Sequence, residues 1–182
     1  MLTALGILAC LLLVAAAVVA YAATRPNTFR LERSIVINAV PETIFPLIAD
    51  FRKWTGWSPW EKLDPGMTRS YSGTASGKGA VYAWDSAGKA GKGRMEISRA
   101  NANDLIMIKL DFLKPFEAHN IAEFTLQRQN GAMQGRATQV TWAMYGPQPL
   151  VAKVMALAFS MDRLVGRDFE TGLANLKALA ET

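Results

Sequence analysis

Two residues restrict the chemistry this 182-residue chain can perform: its single histidine, His119, and its single cysteine, Cys10. Cys10 lies in an apolar N-terminal run, so disulfides, cysteine-based zinc sites and a thiol nucleophile are excluded from everything after residue 24. His119 falls on a predicted strand, 117–128, where alternation places it on one face with Glu123 and Thr125. The opposite face carries Ala118, Asn120, Ala122 and Phe124, which is the more apolar set, so His119 is expected on the outer, solvated side. A carboxylate with a raised pKa is the other common general base. Asp50, Asp64, Glu96, Asp111 and Glu123 are the candidates, and no two stand at a spacing that compels acid–base work. Asp162, Asp168 and Glu170 interleave with Arg163 and Arg167, as ordinary surface pairs on a helix do. No Ser-His-Asp arrangement can be assembled, and a metal site would have to be built from oxygen ligands. We therefore assign no catalytic residue, no metal and no cofactor from the sequence.

The elements that would position these residues divide the chain into 1–24, an apolar anchor; 25–28, a linker; and 29–182, one domain. From Ala4 to Ala23 all twenty residues are apolar or small and none is charged. A helix of that length measures about 30 Å, the hydrocarbon thickness of a bilayer. Arg25 and Pro26 follow at once and stop it. The alternative is a cleaved secretory signal, for which Ala20-Tyr21-Ala22 offers a small-residue site. The run exceeds a signal's usual 7–15 apolar residues and no Lys or Arg precedes it. Arg25, Arg30 and Arg33 after the run, against no basic residue before it, place the domain on the cytoplasmic side by the positive-inside tendency. The other placements are periplasmic, or secreted after cleavage.

The formal charge of +5 is spread along the chain without a basic block or helix face. Nucleic acid is therefore not expected as a partner, whereas anionic lipid is a natural neighbour for a tethered basic domain. Within the domain, 29–38 reads as a strand and Pro41-Glu42 opens a helix to about Asp50. The segment 51–64 is broken by Gly56 and Pro59 into a second short helix and a loop. Six strands follow at about 68–72, 79–85, 92–99, 103–113, 117–128 and 137–145, separated by turn residues. After Gly146-Pro147-Gln148-Pro149, an apolar stripe from Leu150 through Leu176 reads as one long helix to Ala180, with bends possible at Gly166 and Gly172.

That order, and the strings RSIVINAVPETIFPLIADFRKWTGWSPWEKLDPGM (33–67), KPFEAHNIAEFTL (114–126), TQVTWAMYGP (138–147) and MDRLVGRDFETGLANLKAL (161–179), resemble the SRPBCC superfamily. The superfamily comprises START-like, polyketide-cyclase and birch-pollen-allergen proteins, and the likeness is to a bacterial membrane-anchored branch. The resemblance implies an α+β helix-grip fold: a curved antiparallel sheet of about seven strands around a long C-terminal helix, here preceded by one N-terminal transmembrane helix. It also implies a hydrophobic cavity between sheet and helix, and implies hardly anything about an activity.

Alternation puts Tyr82 with Trp84, then Ile106, Ile108, Leu110 and Phe112, then Val140, Trp142 and Met144, on shared faces expected to line the inside of that sheet. Each of these residues also fits a packed core, whereas the set together suits an apolar pocket, with Asn120 as a polar contact. Trp57 and Trp60, with Trp54, either cover an entrance or anchor the short helices. Met155 and Phe159, one turn apart on a helix start where only Lys153 is charged, either gate the pocket from the membrane side or pack on the sheet. The expected function is a membrane-tethered binder of a lipid or polyketide-like hydrophobic molecule, with residues 4–23 as the membrane contact. The alternatives are a cyclase- or dehydratase-type enzyme using the same cavity and a protein-interaction module.

Overall fold

The structure, a computed structural model, describes residues 2–129, 136–158 and 161–182. It opens with α1 (Leu2–Ala23), an apolar helix whose Leu5–Ala23 segment is long enough to cross a membrane. The same length and composition suit a signal sequence, and no charge interrupts the helix. The domain then runs β1 (Thr28–Ile37), α2 (Pro41–Ala49), two short 3-10 helices (Phe51–Gly56 and Pro59–Lys62), β2 (Thr68–Gly73), β3 (Ala80–Asp85), β4 (Lys92–Asn101), β5 (Leu105–Lys114), β6 (Ala118–Gln129) and β7 (Ala137–Pro147). Two helices close it, α3 (Leu150–Ala158) and α4 (Met161–Ala180).

The seven strands form one antiparallel sheet in the order β1-β7-β6-β5-β4-β3-β2. Neighbours in sequence pair as hairpins, and the single long jump brings β1 beside β7, so residues 28–37 lie against 138–147. Register shifts in β4 between Lys92 and Gly93, and again between Ile97 and Arg99, bend the sheet where strands must curl. Alternation then sorts the faces. On β6, Asn120, Ala122, Phe124 and Leu126 are buried while the intervening residues are half-exposed or exposed. α4 lies on the inward face, burying Phe169, Leu173 and Leu176 in a common core with Trp142, Phe124 and Ile44. This is the helix-grip α+β architecture.

All seven strand boundaries fall within two residues of the sequence expectation. The C-terminal helix expected over 150–180 is described as α3 and α4 on either side of residues 159–160, and α4 runs unbroken through Gly166 and Gly172. Those glycines are there for close approach. The Arg33 guanidinium occupies the space a Cβ at Gly166 would take, and a Cβ at Gly172 would stand 2.8 Å from the Trp142 ring. Arg33 reaches Asp162 at 2.9 Å and Glu170 at 2.7 Å, and Lys177 donates to the Val36 carbonyl, so α4 is clasped along β1.

The junction between α1 and the domain is structured. α1 packs against α3, and Ala22 is buried between them and the domain. Lys153 is only 5 % exposed, and its ammonium donates to the Arg25 carbonyl and to Asn27 Oδ1, both at 2.7 Å. The Gln148 N–H donates to the Asn27 carbonyl, also at 2.7 Å. The one charge on an otherwise apolar helix thus ties the linker down.

Candidate functional site

The inward face is organised around Trp142 on β7. Phe169 of α4 stacks on it with ring centroids 4.1 Å apart and planes 9° apart, and Phe124 of β6 covers the other side at 4.8 Å. Trp57 and Trp60 meet it edge-on at 5.6 and 5.4 Å. These rings come from β6, β7, α4, the second 3-10 helix and the residue that follows the first, and pack between sheet and α4. The two surface depressions found are elsewhere: one runs along α1 at Gly6, Cys10 and Val14, and the other, about 200 Å³, lies beside α2 at Phe45, Asp50 and Lys53. Around Trp142 the space expected for a cavity holds these packed rings.

The tryptophans differ in how their N–H groups are satisfied. The Trp54 and Trp57 indoles donate to the Ile48 and Leu47 carbonyls at 2.9 and 3.0 Å, capping orphan acceptors in the last turn of α2. Trp84 donates to the Ala90 carbonyl at 2.9 Å. Trp142, only 2 % exposed, has no partner for its Nε1–H among the described residues. A buried donor left unmade costs about 1–3 kcal/mol. Such a group in an otherwise satisfied core marks a place where an acceptor atom is wanted.

A second group lies at the β2–β3 side. Glu61, on the second 3-10 helix, has a side chain only 7 % exposed, and it accepts from the Tyr82 hydroxyl at 2.6 Å and from Arg69 Nε at 2.7 Å. Burial first, and then the bond to the Glu61 carboxylate, push the Tyr82 phenol far above its ordinary value. Tyr82 therefore acts as a hydrogen-bond donor at neutral pH. Its ring stacks with Trp84 at 5.9 Å, Trp84 meets Phe112 edge-on at 6.0 Å, and Phe51 bridges Tyr82 to Trp54. The two groups are thus continuous through aromatic contacts.

The residues singled out from the sequence separate as follows. Trp57, Trp60 and Trp142 come together in the central stack, with Trp57 fully buried and Trp60 half-buried at its rim. Tyr82, Trp84 and Phe112 form the second group. Asn120 and Met144 are buried near the α1 end of β6 and β7, where the Asn120 amide fills the space beside Gly146. Met155 stands apart on α3, half-exposed to the outside, and Phe159 lies outside the described residues. His119 is exposed on the outer face, hydrogen-bonded to Asp111 at 2.7 Å and to Glu117 at 3.3 Å, and these carboxylates raise its pKa. Glu61 and Arg69 carry no local sequence signal for their burial, and Lys153 is marked only as the one charge among apolar neighbours. Only the crossing of the 3-10 helix over β2–β3, and of α3 over the linker, removes them from water.

A seven-stranded sheet gripping a C-terminal helix over an aromatic interior is the helix-grip fold. Residues 28–181 match the family model described as polyketide cyclase / dehydrase and lipid transport, and the chain belongs to that family. No curated protein matches it by sequence. Among solved structures it is similar to protein CV1439 from Chromobacterium violaceum, at 18 % identity and a TM-score of 0.56, covering 86 % of this chain and 99 % of that one. It is also similar to the Aha1 dimer from Colwellia psychrerythraea, at 16 % identity and a TM-score of 0.56, covering 84 % and 96 %. A third similar structure is DynU16 from the dynemicin biosynthetic locus, at 17 % identity and a TM-score of 0.55, covering 87 % of this chain and about half, 48 %, of that one. At these identities the likeness is one of fold.

Proposed function

We propose that this protein is a membrane-tethered carrier or sensor for a hydrophobic molecule, a lipid or polyketide-like compound, received between the sheet and α4. Residues 1–24 are the tether, 25–28 the junction and 29–182 the binding domain. The observation that carries this reading is the unpartnered Trp142 Nε1–H at the centre of an apolar interior. It suits a ligand that is apolar over most of its surface and offers one acceptor, a carbonyl or carboxylate oxygen. The rings of Phe169 and Trp60 would give way as α4 lifts. Support also comes from the family's description as lipid transport and from α1, which suits a molecule collected from a bilayer.

The test uses the full chain extracted in mild detergent and analysed by mass spectrometry of its organic extract against a detergent-only control. A co-purified apolar compound, retained less by the Trp142→Phe variant, is expected. A chain that carries no such compound, and whose tryptophan emission is unmoved by fatty acids and polycyclic aromatics, overturns the proposal.

A cyclase- or dehydratase-type enzyme is the second reading, and the Glu61–Tyr82 pair favours it, since a buried carboxylate bonded to a phenol is a proton-handling arrangement. Turnover of a polyketide-like substrate that is lost in Tyr82→Phe at an unchanged melting temperature would establish it.

A further inference from the structure

The register of the sheet places several remote pieces of chain at one end. Thr28 pairs with Pro147, Ala118 with Phe112, Lys114 with Lys92, and Asp85 with Thr68. The β5–β6 turn at 115–117, the β3–β4 turn at 86–91, the start of β1 and the departure of β7 toward α3 therefore all lie on the same edge. α1 enters the domain at that edge through Arg25–Asn27, which Lys153 fixes there.

Exposed apolar side chains concentrate on this edge. Phe116, at the tip of the β5–β6 turn, is 73 % exposed, more than any other large apolar side chain among the described residues, those of α1 included. Leu113 precedes it, also exposed, and α3 contributes Val151 at 71 % exposure with Leu150, Met155 and Leu157. Strands spaced about 4.8 Å apart put β5 about 14 Å from β1 and hence from the exit of α1. Exposed Lys89 and Lys114 flank the turn.

We propose that Phe116 enters the lipid bilayer beside α1, docking the domain on its turn end against an anionic membrane surface, with α3 lying in the same plane. The inference rests on the reading of α1 as a membrane span. Its occupant follows from continuity: a bilayer crossed by α1 ends where Arg25 emerges, and the β5–β6 turn stands one short lateral step away. An exposed aromatic at that level partitions into the headgroup boundary, and neighbouring lysines add about 1 kcal/mol each toward anionic lipid. Three separated contacts, α1, α3 and Phe116, fix the orientation of the sheet as a single tether does not.

Full-length protein carrying Cys10→Ala, reconstituted in vesicles of phosphatidylcholine and phosphatidylglycerol, is labelled with an environment-sensitive fluorophore at one introduced cysteine: Phe116→Cys, Leu13→Cys or Val36→Cys. Brominated lipids should quench the label at positions 13 and 116 and leave position 36, on the far part of β1, bright. Quenching at 13 without quenching at 116 overturns the docking and leaves the membrane span standing. No quenching at 13 removes both. Shielding from water at 116 without lipid quenching indicates a protein contact and also overturns the proposal.

Discussion

Trp142 and Phe169 lie face to face, 4.1 Å apart and within 9° of parallel, joining the last strand of the sheet to the helix it grips. The contact spans the layer boundary of the domain, and both partners are fully buried. Trp142→Ala should destabilise the domain by about 3–5 kcal/mol, and Phe169→Ala by a similar amount. Because the two share one contact, the double variant should fall short of the sum. Chemical denaturation of the four proteins measures this. A loss below about 1 kcal/mol for Trp142→Ala would show that α4 does not rest on that ring.

Glu61 links Tyr82 to Arg69 out of solvent. Glu61→Ala leaves the Tyr82 phenol and Arg69 Nε without their carboxylate, while the other guanidinium nitrogens keep the Met67 and Glu61 carbonyls, at a cost of about 1–3 kcal/mol. Tyr82 also gives the domain a defined alkaline limit. Its pKa is raised in the folded state, so its contribution is complete below the unfolded value near 10.0 and is lost as pH rises above it. Melting temperature should decline more steeply above that pH in the natural chain than in Tyr82→Phe. Parallel alkaline limbs would contradict the assignment.

His119 sits between Asp111 and Glu117 on the outer face. The bond to Asp111, followed by the weaker influence of Glu117, raises its pKa above 6.5. The protonated form is thus favoured by folding, present in full below 6.5 and lost as pH climbs through the folded value. An NMR titration should find the ring's midpoint above 6.5, and Asp111→Asn should bring it down. A midpoint that stays put in Asp111→Asn would mean the pair is not formed in solution.

Lys153 holds the junction through two acceptors. Replacing it with methionine keeps α3 apolar and removes both bonds. One hydrogen bond to a charged group is worth about 1.5–3 kcal/mol, so loss of even one of the two should open the junction on the order of ten- to a hundredfold more often. Limited digestion with the broad-specificity protease proteinase K, with cuts within residues 24–28 located by mass spectrometry, reads this out directly. Cleavage should accelerate in Lys153→Met and stay slow in Lys153→Gln if one bond to Asn27 suffices, while the melting temperature of the domain changes little. Equal cleavage of the natural chain and Lys153→Met would show the junction to be open already.

The strands and α2 were legible because their signals are local: alternation in 118–129, a proline opening 41–49, and turn residues between short apolar runs. The inward faces followed from the same parity, which is why Tyr82, Trp84, Phe112, Asn120, Trp142 and Met144 all point off the solvated side. What parity cannot express is depth. Trp57 and Trp60, three residues apart, read alike in sequence, yet one indole caps α2 and the other borders the rim of the stack. The change of neighbour along 150–180, from α1 beside α3 to the sheet beside α4, was likewise hidden, because the apolar stripe continues from one to the other and leaves no mark in periodicity. Lys153 stood out as the single charge among apolar neighbours, but its partners come from residues 25–27, more than a hundred positions away.

Four of the five tryptophans, at 54, 57, 60 and 142, have ring centroids within 4.7–6.3 Å of another member of the set. At such separations their electronic transitions couple, and excitation passes readily from one indole to another. The sheet and the segment of the 3-10 helices supply the indoles, and Phe169 of α4 stacks on Trp142, so the near-ultraviolet dichroism of this protein reports the mutual registration of all three. Any molecule that parts α4 from Trp142 must disturb that signal, and the domain thereby carries its own optical gauge of occupancy.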